Sequence, residues 1–239
     1  MIEDLRILET AADVADEAAT ALAGWIAHAD AAGAAVHVAL AGGSTPAATY
    51  ARLASAPVDW PSVHLWFGDE RMVPPDAQDA NAELARAYLV EPAGIAAAMV
   101  HLVPTTLPVE AAARAYGDEI RRHLPLDAAG VPRFDVVMLG LGEDGHVASL
   151  FPNSTALAAT DVCLPIRNSP KPPPERVSLS LAVINAATHR LLVTTGSGKA
   201  DALARTLGSP DPGTPASLLR SAGTTVVCDA SAAADLRGR

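Results

Sequence analysis

Cysteine is scarce in this chain: Cys163 and Cys228 are the only two in 239 residues. Two isolated thiols with no CxxC spacing exclude a disulfide framework and a thiolate metal site, and they fit a reducing compartment. Aromatics are also few, with three Phe, three Trp and three Tyr. Basic residues are in the minority, 17 Lys+Arg against 27 Asp+Glu, for a net charge of −10. A net-acidic chain is a poor binder of nucleic acid or of an anionic membrane surface, because both need clustered Lys/Arg. No apolar run reaches the ~18 residues needed to span a bilayer. The first thirty residues carry Glu3, Asp4, Glu9, Asp13, Asp16 and Glu17, which is unlike the basic, then apolar, start of a signal peptide. The expectation is a cytoplasmic globular protein.

What is abundant is small and apolar. Hydrophobic residues make up 50% and charged residues 18%, which excludes disorder, and Ala alone contributes 51 residues. Such a core rests on close helix–strand packing. Residues 9–30 have the spacing of an amphipathic helix, with Gly33 as its stop. Short apolar strands are predicted at 36–41, 63–67, 134–139, 176–180, 190–195 and 224–228. Helices are predicted between them at 46–54, 81–90, 109–124, 181–187 and 199–207. Continuous apolar strands alternating with helices predict an α/β fold, a mostly parallel sheet flanked by helices on both faces. The proline-rich stretch 169–174 is short, with strands on both sides, so residues 1–239 read as a single domain.

Ligands of such sheets bind beyond the carboxyl ends of the strands. Three polar clusters fall there. Gly42-Gly43-Ser44-Thr45, followed by Pro46, is a glycine turn entering a helix, where backbone N–H groups, hydroxyls and the helix end suit a phosphate; an ordinary capped turn is the alternative. Asp69-Glu70-Arg71 offers an acid and a fixed cation, or a structural ion pair. Asp144-Gly145-His146 is the strongest candidate for catalysis, because an imidazole can take a proton from water while a nearby carboxylate orients it. Gly196-Ser197-Gly198-Lys199 resembles the end of a P-loop. Val193 stands where the leading glycine belongs, however, and Ala200 stands where Ser/Thr belongs, which excludes nucleotide binding there. Lys199 alone can still meet a phosphate as a point charge. His37 and His64 fall in strands and read as packed core histidines.

The segments Leu40–Tyr50 (LAGGSTPAATY), Leu65–Pro74 (LWFGDERMVP), Met138–Pro152 (MLGLGEDGHVASLFP), Ser169–Leu179 (SPKPPPERVSL) and Val183–Lys199 together resemble the 6-phosphogluconolactonases of the sugar-phosphate isomerase/deaminase superfamily. The resemblance implies hydrolysis of 6-phospho-D-glucono-1,5-lactone, a small-molecule sugar phosphate partner, a monomer, and neither metal nor organic cofactor. It implies His146 as general base, Asp144 as its orienting carboxylate, and Gly43, Ser44, Thr45 and Lys199 as phosphate ligands. Arg71 would be a second cation and Asp69 a contact to substrate hydroxyls or a support for Arg71. Arg167 and Lys171 would be further phosphate ligands. The related glucosamine-6-phosphate deaminases resemble a pattern with a Glu soon after the His, and Val147–Asn153 carries no carboxylate. A sugar-phosphate sensor of a transcription regulator would need a helix-turn-helix, for which the acidic first helix and early first strand leave no room. High Ala, Pro and Arg usage points to a GC-rich bacterial genome.

Overall fold

The computed structural model describes residues 2, 4–31 and 33–236. Nine strands are named in chain order: β1 (Asp4–Leu8), β2 (Val36–Leu40), β3 (Val63–Phe67), β4 (Asp69–Arg71), β5 (Val136–Gly140), β6 (Cys163–Ile166), β7 (Arg176–Leu179), β8 (His189–Thr194) and β9 (Thr224–Asp229). Six of them form a parallel sheet in the order β1-β9-β8-β5-β2-β3. The order reverses at β2, which lies between β5 and β3, so the loops after β2 and β5 diverge to open a crevice between them. The other three form a small antiparallel sheet, β4-β7-β6.

Both faces of the parallel sheet are covered. Helices α1 (Ala11–Asp30) and α2 (Ser44–Leu53), with the helical stretch that begins at α3 (Asn81–Ala85), pack on Val36, Val38, Leu40, Leu65, Met138 and Val193. The opposite face carries Ala39, Trp66, Val137, Leu139, Leu192 and Val226. It is covered by α4 (Val109–His123), α5 (Leu181–Ala186) and α6 (Ala200–Thr206). Successive strand residues point to opposite faces, so a strand covered on both sides buries every position. That is why β2 and β9 are buried throughout.

Local signals set the element ends. Thr10 and Asp13 form a capping box: the Asp13 N–H donates to Thr10 Oγ1 at 3.2 Å, and the Thr10 N–H donates to Asp13 Oδ2 at 3.0 Å. Such a cap stabilises a helix by about 1 kcal/mol. The predicted parallel sheet is present, with two differences. β1 lies at the sheet edge with alternating burial, which hid it from a search for continuous apolar runs. Asp69–Arg71, read from the sequence as a loop, is strand β4. Its partner, residues 176–179, runs antiparallel in the second sheet and not in the main one.

Candidate active site

A cleft of about 290 Å³ opens beyond the carboxyl ends of β2, β3 and β5, lined among others by Gly42, Asp69, Arg71, His146, Lys171, Arg176 and Lys199. Residues from five separate stretches of sequence thus face one space. Parallel strands bring four of them together, since all deliver their following loops to the same end of the sheet, and the fifth, residues 171–176, enters from the antiparallel sheet.

The loop after β5 places the imidazole. Gly142 N–H donates to His146 O at 2.9 Å and Gly145 N–H donates to Gly142 O at 3.0 Å, closing a tight turn. Asp144 Oδ1 sits 2.5 Å from His146 Nδ1 and also accepts the His146 backbone N–H at 3.2 Å. A carboxylate at this position fixes the Nδ1–H tautomer, so Nε2 keeps its lone pair. Gly142 is required by proximity: a Cβ there would stand 2.0 Å from His146 Nδ1 and 2.5 Å from Asp144 Oδ1. Phe151 covers the imidazole, with ring centroids 4.8 Å apart. Burial pushes His146 below the ordinary imidazole value, against the pull of Asp144. For Asp144 burial works upward, but the bond from His146 and its charge outweigh it and hold the carboxyl low. The pair is therefore a neutral imidazole against an ionised carboxylate near pH 7. Behind the loop, Arg205 donates to Thr214 Oγ1 at 2.6 Å and reaches Asp144 O at 3.5 Å.

The loop after β2 is held from its own helix. Buried Tyr50 on α2 donates to Ala41 O at 2.7 Å and accepts from Ala41 N–H at 2.8 Å, fixing the chain as it leaves the strand. Gly43 has φ 114°, a left-handed conformation that glycine adopts without strain. Gly42 lines the cleft, while Gly43, Ser44 and Thr45 border it and are not part of its wall. Thr45 Oγ1 meets Thr195 Oγ1 at 2.8 Å, which joins this turn to the loop after β8. That second loop carries Lys199. It is anchored by Asp229 of β9, which accepts from Gly196 N–H at 3.0 Å.

The chain has only two lysines, Lys171 and Lys199, and both line the cleft. Burial lowers the Lys199 ammonium from its ordinary value, and the charge on Lys171 adds to this. A protein with net charge −10 thus gathers both lysines, Arg71 and Arg176 around one cavity. Arg71 Nη1 donates to Asp79 O at 2.5 Å, while its buried Nε has no partner among the described residues.

Two expectations need correction. Asp69 does not pair with Arg71: it accepts from Ser149 Oγ at 2.6 Å and Asn81 Nδ2 at 3.2 Å and faces Arg176 at 3.8 Å. Asp69 and Arg71 share a face of β4, but the Asp69 carboxylate is taken by Ser149 and Asn81, and the guanidinium nearest to it is that of Arg176, the register partner of Arg71. Arg167 does not reach the cleft, because its guanidinium is taken by Glu110 and Glu175. Sequence reasoning also missed Arg176. Buried on β7, it donates to Pro173 O at 3.1 Å, Lys171 O at 3.1 Å and Pro172 O at 3.0 Å, tying the proline-rich loop and Lys171 over the cleft. The SPKPPPER segment holds it, but only the antiparallel pairing with β4 shows that it points inward.

No described helix is long and apolar enough to cross a membrane. A family model for glucosamine-6-phosphate isomerases/6-phosphogluconolactonase matches residues 9–228. The 6-phosphogluconolactonase of Streptomyces coelicolor is 36% identical over 236 residues, covering 93% of this chain and 90% of that one. That of Mycobacterium leprae is 38% identical, with 76% of each chain covered. Among solved structures, 6-phosphogluconolactonase from Trypanosoma brucei aligns with a TM-score of 0.90 at 30% identity, covering 99% of this chain and 100% of that one. A monomeric glucosamine-6-phosphate deaminase shares the fold, with a TM-score of 0.81 at 20% identity. On the match across residues 9–228 and these relatives, the chain belongs to the glucosamine-6-phosphate isomerase/6-phosphogluconolactonase family.

Proposed function

We propose that this cleft hydrolyses 6-phospho-D-glucono-1,5-lactone to 6-phospho-D-gluconate, the second step of the oxidative pentose phosphate pathway. The observation that carries this reading is the His146–Asp144 pair, 2.5 Å apart, on a cleft lined by both of the chain's lysines. Family membership supports the same substrate class.

A lactone is a cyclic ester, and its hydrolysis needs an activated water and a proton donor for the departing ring oxygen. Nε2 of His146 takes a proton from water as the water oxygen bonds to C1. The carbonyl electrons move onto oxygen, and Asp144 stabilises the imidazolium. As the carbonyl re-forms, the C1–O5 bond breaks and Nε2–H returns the proton to O5, giving the open-chain hydroxyl. The new carboxylic acid then ionises in water. This chemistry draws on side chains alone. The 6-phosphate lies at the far end of the substrate from C1, so its binding energy orients the ring. Lys199 and Lys171 are its proposed partners, helped by the backbone at Gly43, Ser44 and Thr45. Arg71 supplies a further cation, and Arg176 with Asp69 holds the wall. The reading takes the chain as one catalytic domain acting as a monomer, since one chain supplies every group it uses, and its scarce, unpaired cysteines fit a cytoplasmic setting.

The test couples lactone formation by glucose-6-phosphate dehydrogenase to NADP reduction by 6-phosphogluconate dehydrogenase, with spontaneous ring opening subtracted. The wild-type chain is expected to accelerate the second phase. His146→Ala should lower kcat by about 10²–10⁴-fold while the melting temperature stays near wild type. Near-normal turnover in that variant overturns the mechanism.

A further inference from the structure

The cleft uses one of the chain's seven histidines, and four others collect at the opposite end of the sheet. His37 and His64 are register partners near the starts of β2 and β3. His101 runs alongside β3, its N–H donating to Leu65 O at 2.9 Å. His123 ends α4. The rings follow one another at centroid distances of 5.0 Å (His37–His64), 5.1 Å (His64–His101) and 4.9 Å (His101–His123). Trp66 stacks flat on His101 at 3.7 Å. Glu119, one helical turn before His123 on α4, lies 2.7 Å from His101 Nδ1. None of these groups has a part in the proposed hydrolysis.

The hydrogen bonds sort the ring nitrogens. His123 Nδ1 lies 2.9 Å from the backbone O of Glu119, which can only accept. That nitrogen therefore carries the proton, and Nε2 of the neutral ring is left with its lone pair. His101 Nε2 is held at 2.8 Å by His64 Nδ1, so the nitrogen facing Glu119 is the other one. His101, Glu119 and His123 each offer one ligand atom, all within 4.8 Å of one another.

We propose that His101, Glu119 and His123 form a binding site for a zinc-class divalent cation, with His64 as the outer partner that orients His101. Two imidazoles and one carboxylate, leaving a fourth position to water, are a donor set suited to zinc and its neighbours. Glu119 and His123 stand four residues apart on a helix and so share a face. A ligating imidazole commonly has its second nitrogen fixed by a hydrogen bond. Here His64 does this for His101, and the Glu119 carbonyl does it for His123. Bonds of about 2.0–2.1 Å to the metal set tetrahedral ligand atoms about 3.3 Å apart, so His101 Nδ1 and Glu119, 2.7 Å apart, must open slightly while the wider separations, up to 4.8 Å, close. His123 is exposed and Glu119 is partly so, which leaves both side chains free to close. When the metal bonds to His101 Nδ1, the proton there moves to Nε2. The proton on His64 Nδ1 then moves to its own Nε2, so no net proton is lost. The site departs from the expectation of a metal-free chain, which rested on thiols and on the resemblance. Its donors come from two stretches of sequence, residue 101 and the end of α4. A bound metal would tie the end of α4 to the segment beside the edge strand β3, far from the cleft.

The experiment is a calorimetric titration of the full-length, metal-stripped protein with Zn²⁺ alone, run on wild type, His146→Ala, His123→Ala and Glu119→Gln. Melting temperatures are read with and without Zn²⁺. One Zn²⁺ per chain is expected for wild type and His146→Ala, with both melting temperatures raised. Affinity should drop about a hundredfold or more in His123→Ala and Glu119→Gln. Absence of stoichiometric binding, or binding unchanged in His123→Ala, overturns the proposal. So does binding lost in His146→Ala and kept in His123→Ala, which would assign the metal to the cleft. The zinc titration does not depend on the lactone assay, so either reading can fail alone.

Discussion

Two imidazole–carboxylate pairs sit at opposite ends of the same sheet, His146 with Asp144 at 2.5 Å and His101 with Glu119 at 2.7 Å. Their nearest bonds are almost the same; what differs is the other ring nitrogen. In His146 it has no hydrogen bond among the described residues, in a cleft that both lysines line, whereas in His101 it is bonded to His64. An imidazole whose second nitrogen meets a cavity can exchange protons with a substrate. One whose second nitrogen meets another ring is held still, as a structural or ligating group is. The surroundings of the pair set its chemistry, and the pair itself appears in both roles.

The strongest way to break the comparison is to push His146 out of register. Gly142→Ala places a Cβ against both members of the pair, and its expected cost is about 10²-fold or more in kcat/KM, since an ångström of misplacement suffices for that. Zn²⁺ binding should be untouched. Full activity in Gly142→Ala would mean that the pair is not the centre of the reaction. Next, Lys199→Ala should raise KM by about tenfold to a hundredfold with kcat little changed, as expected for loss of a charge-assisted bond made equally in ground and transition states. An unchanged KM removes Lys199 from the phosphate site.

A smaller effect sharpens the contrast in titration. The base must be unprotonated, so kcat/KM falls as pH drops through the His146 pKa. Burial places that midpoint below the ordinary 6.5. Phe151→Ala uncovers the ring and should move the midpoint upward toward 6.5. A downward shift would show that burial is not what depresses it. Smallest of all, Arg167→Ala should change neither kcat nor KM, because its exposed guanidinium pairs with Glu110 and Glu175 away from the cleft. A raised KM there would restore it as a substrate ligand.

Most of the cleft was legible in the sequence because the loops after β2, β3 and β5 follow apolar strands with a glycine at or next to the strand end. Gly42, Gly68 and Gly140 stand at or just past the carboxyl ends of β2, β3 and β5, and a parallel sheet brings such ends together whatever their distance along the chain. The second sheet was hidden for the opposite reason. β4 is three polar residues long, and β6 is four residues including Pro165, so neither has a periodic signal. With that sheet unseen, the inward turn of Arg176 and the capture of Asp69 could not be read. The histidine cluster was invisible in a different way. Residues 37, 64, 101 and 123 share no spacing, and it is the His37–His64 register and the path of residue 101 beside β3 that unite them.

The edge strand β1 pairs with β9 alone, and the Thr225 hydroxyl reaches Asp4 across 221 positions of sequence. During synthesis β1 must therefore wait, unpaired, until β9 has left the ribosome. Leu5 and Ile7 remain partly exposed even when that wait is over. Completion of the sheet is thus a late, long-range event, and a nascent chain halted before its last strand would carry an apolar segment with nowhere to dock.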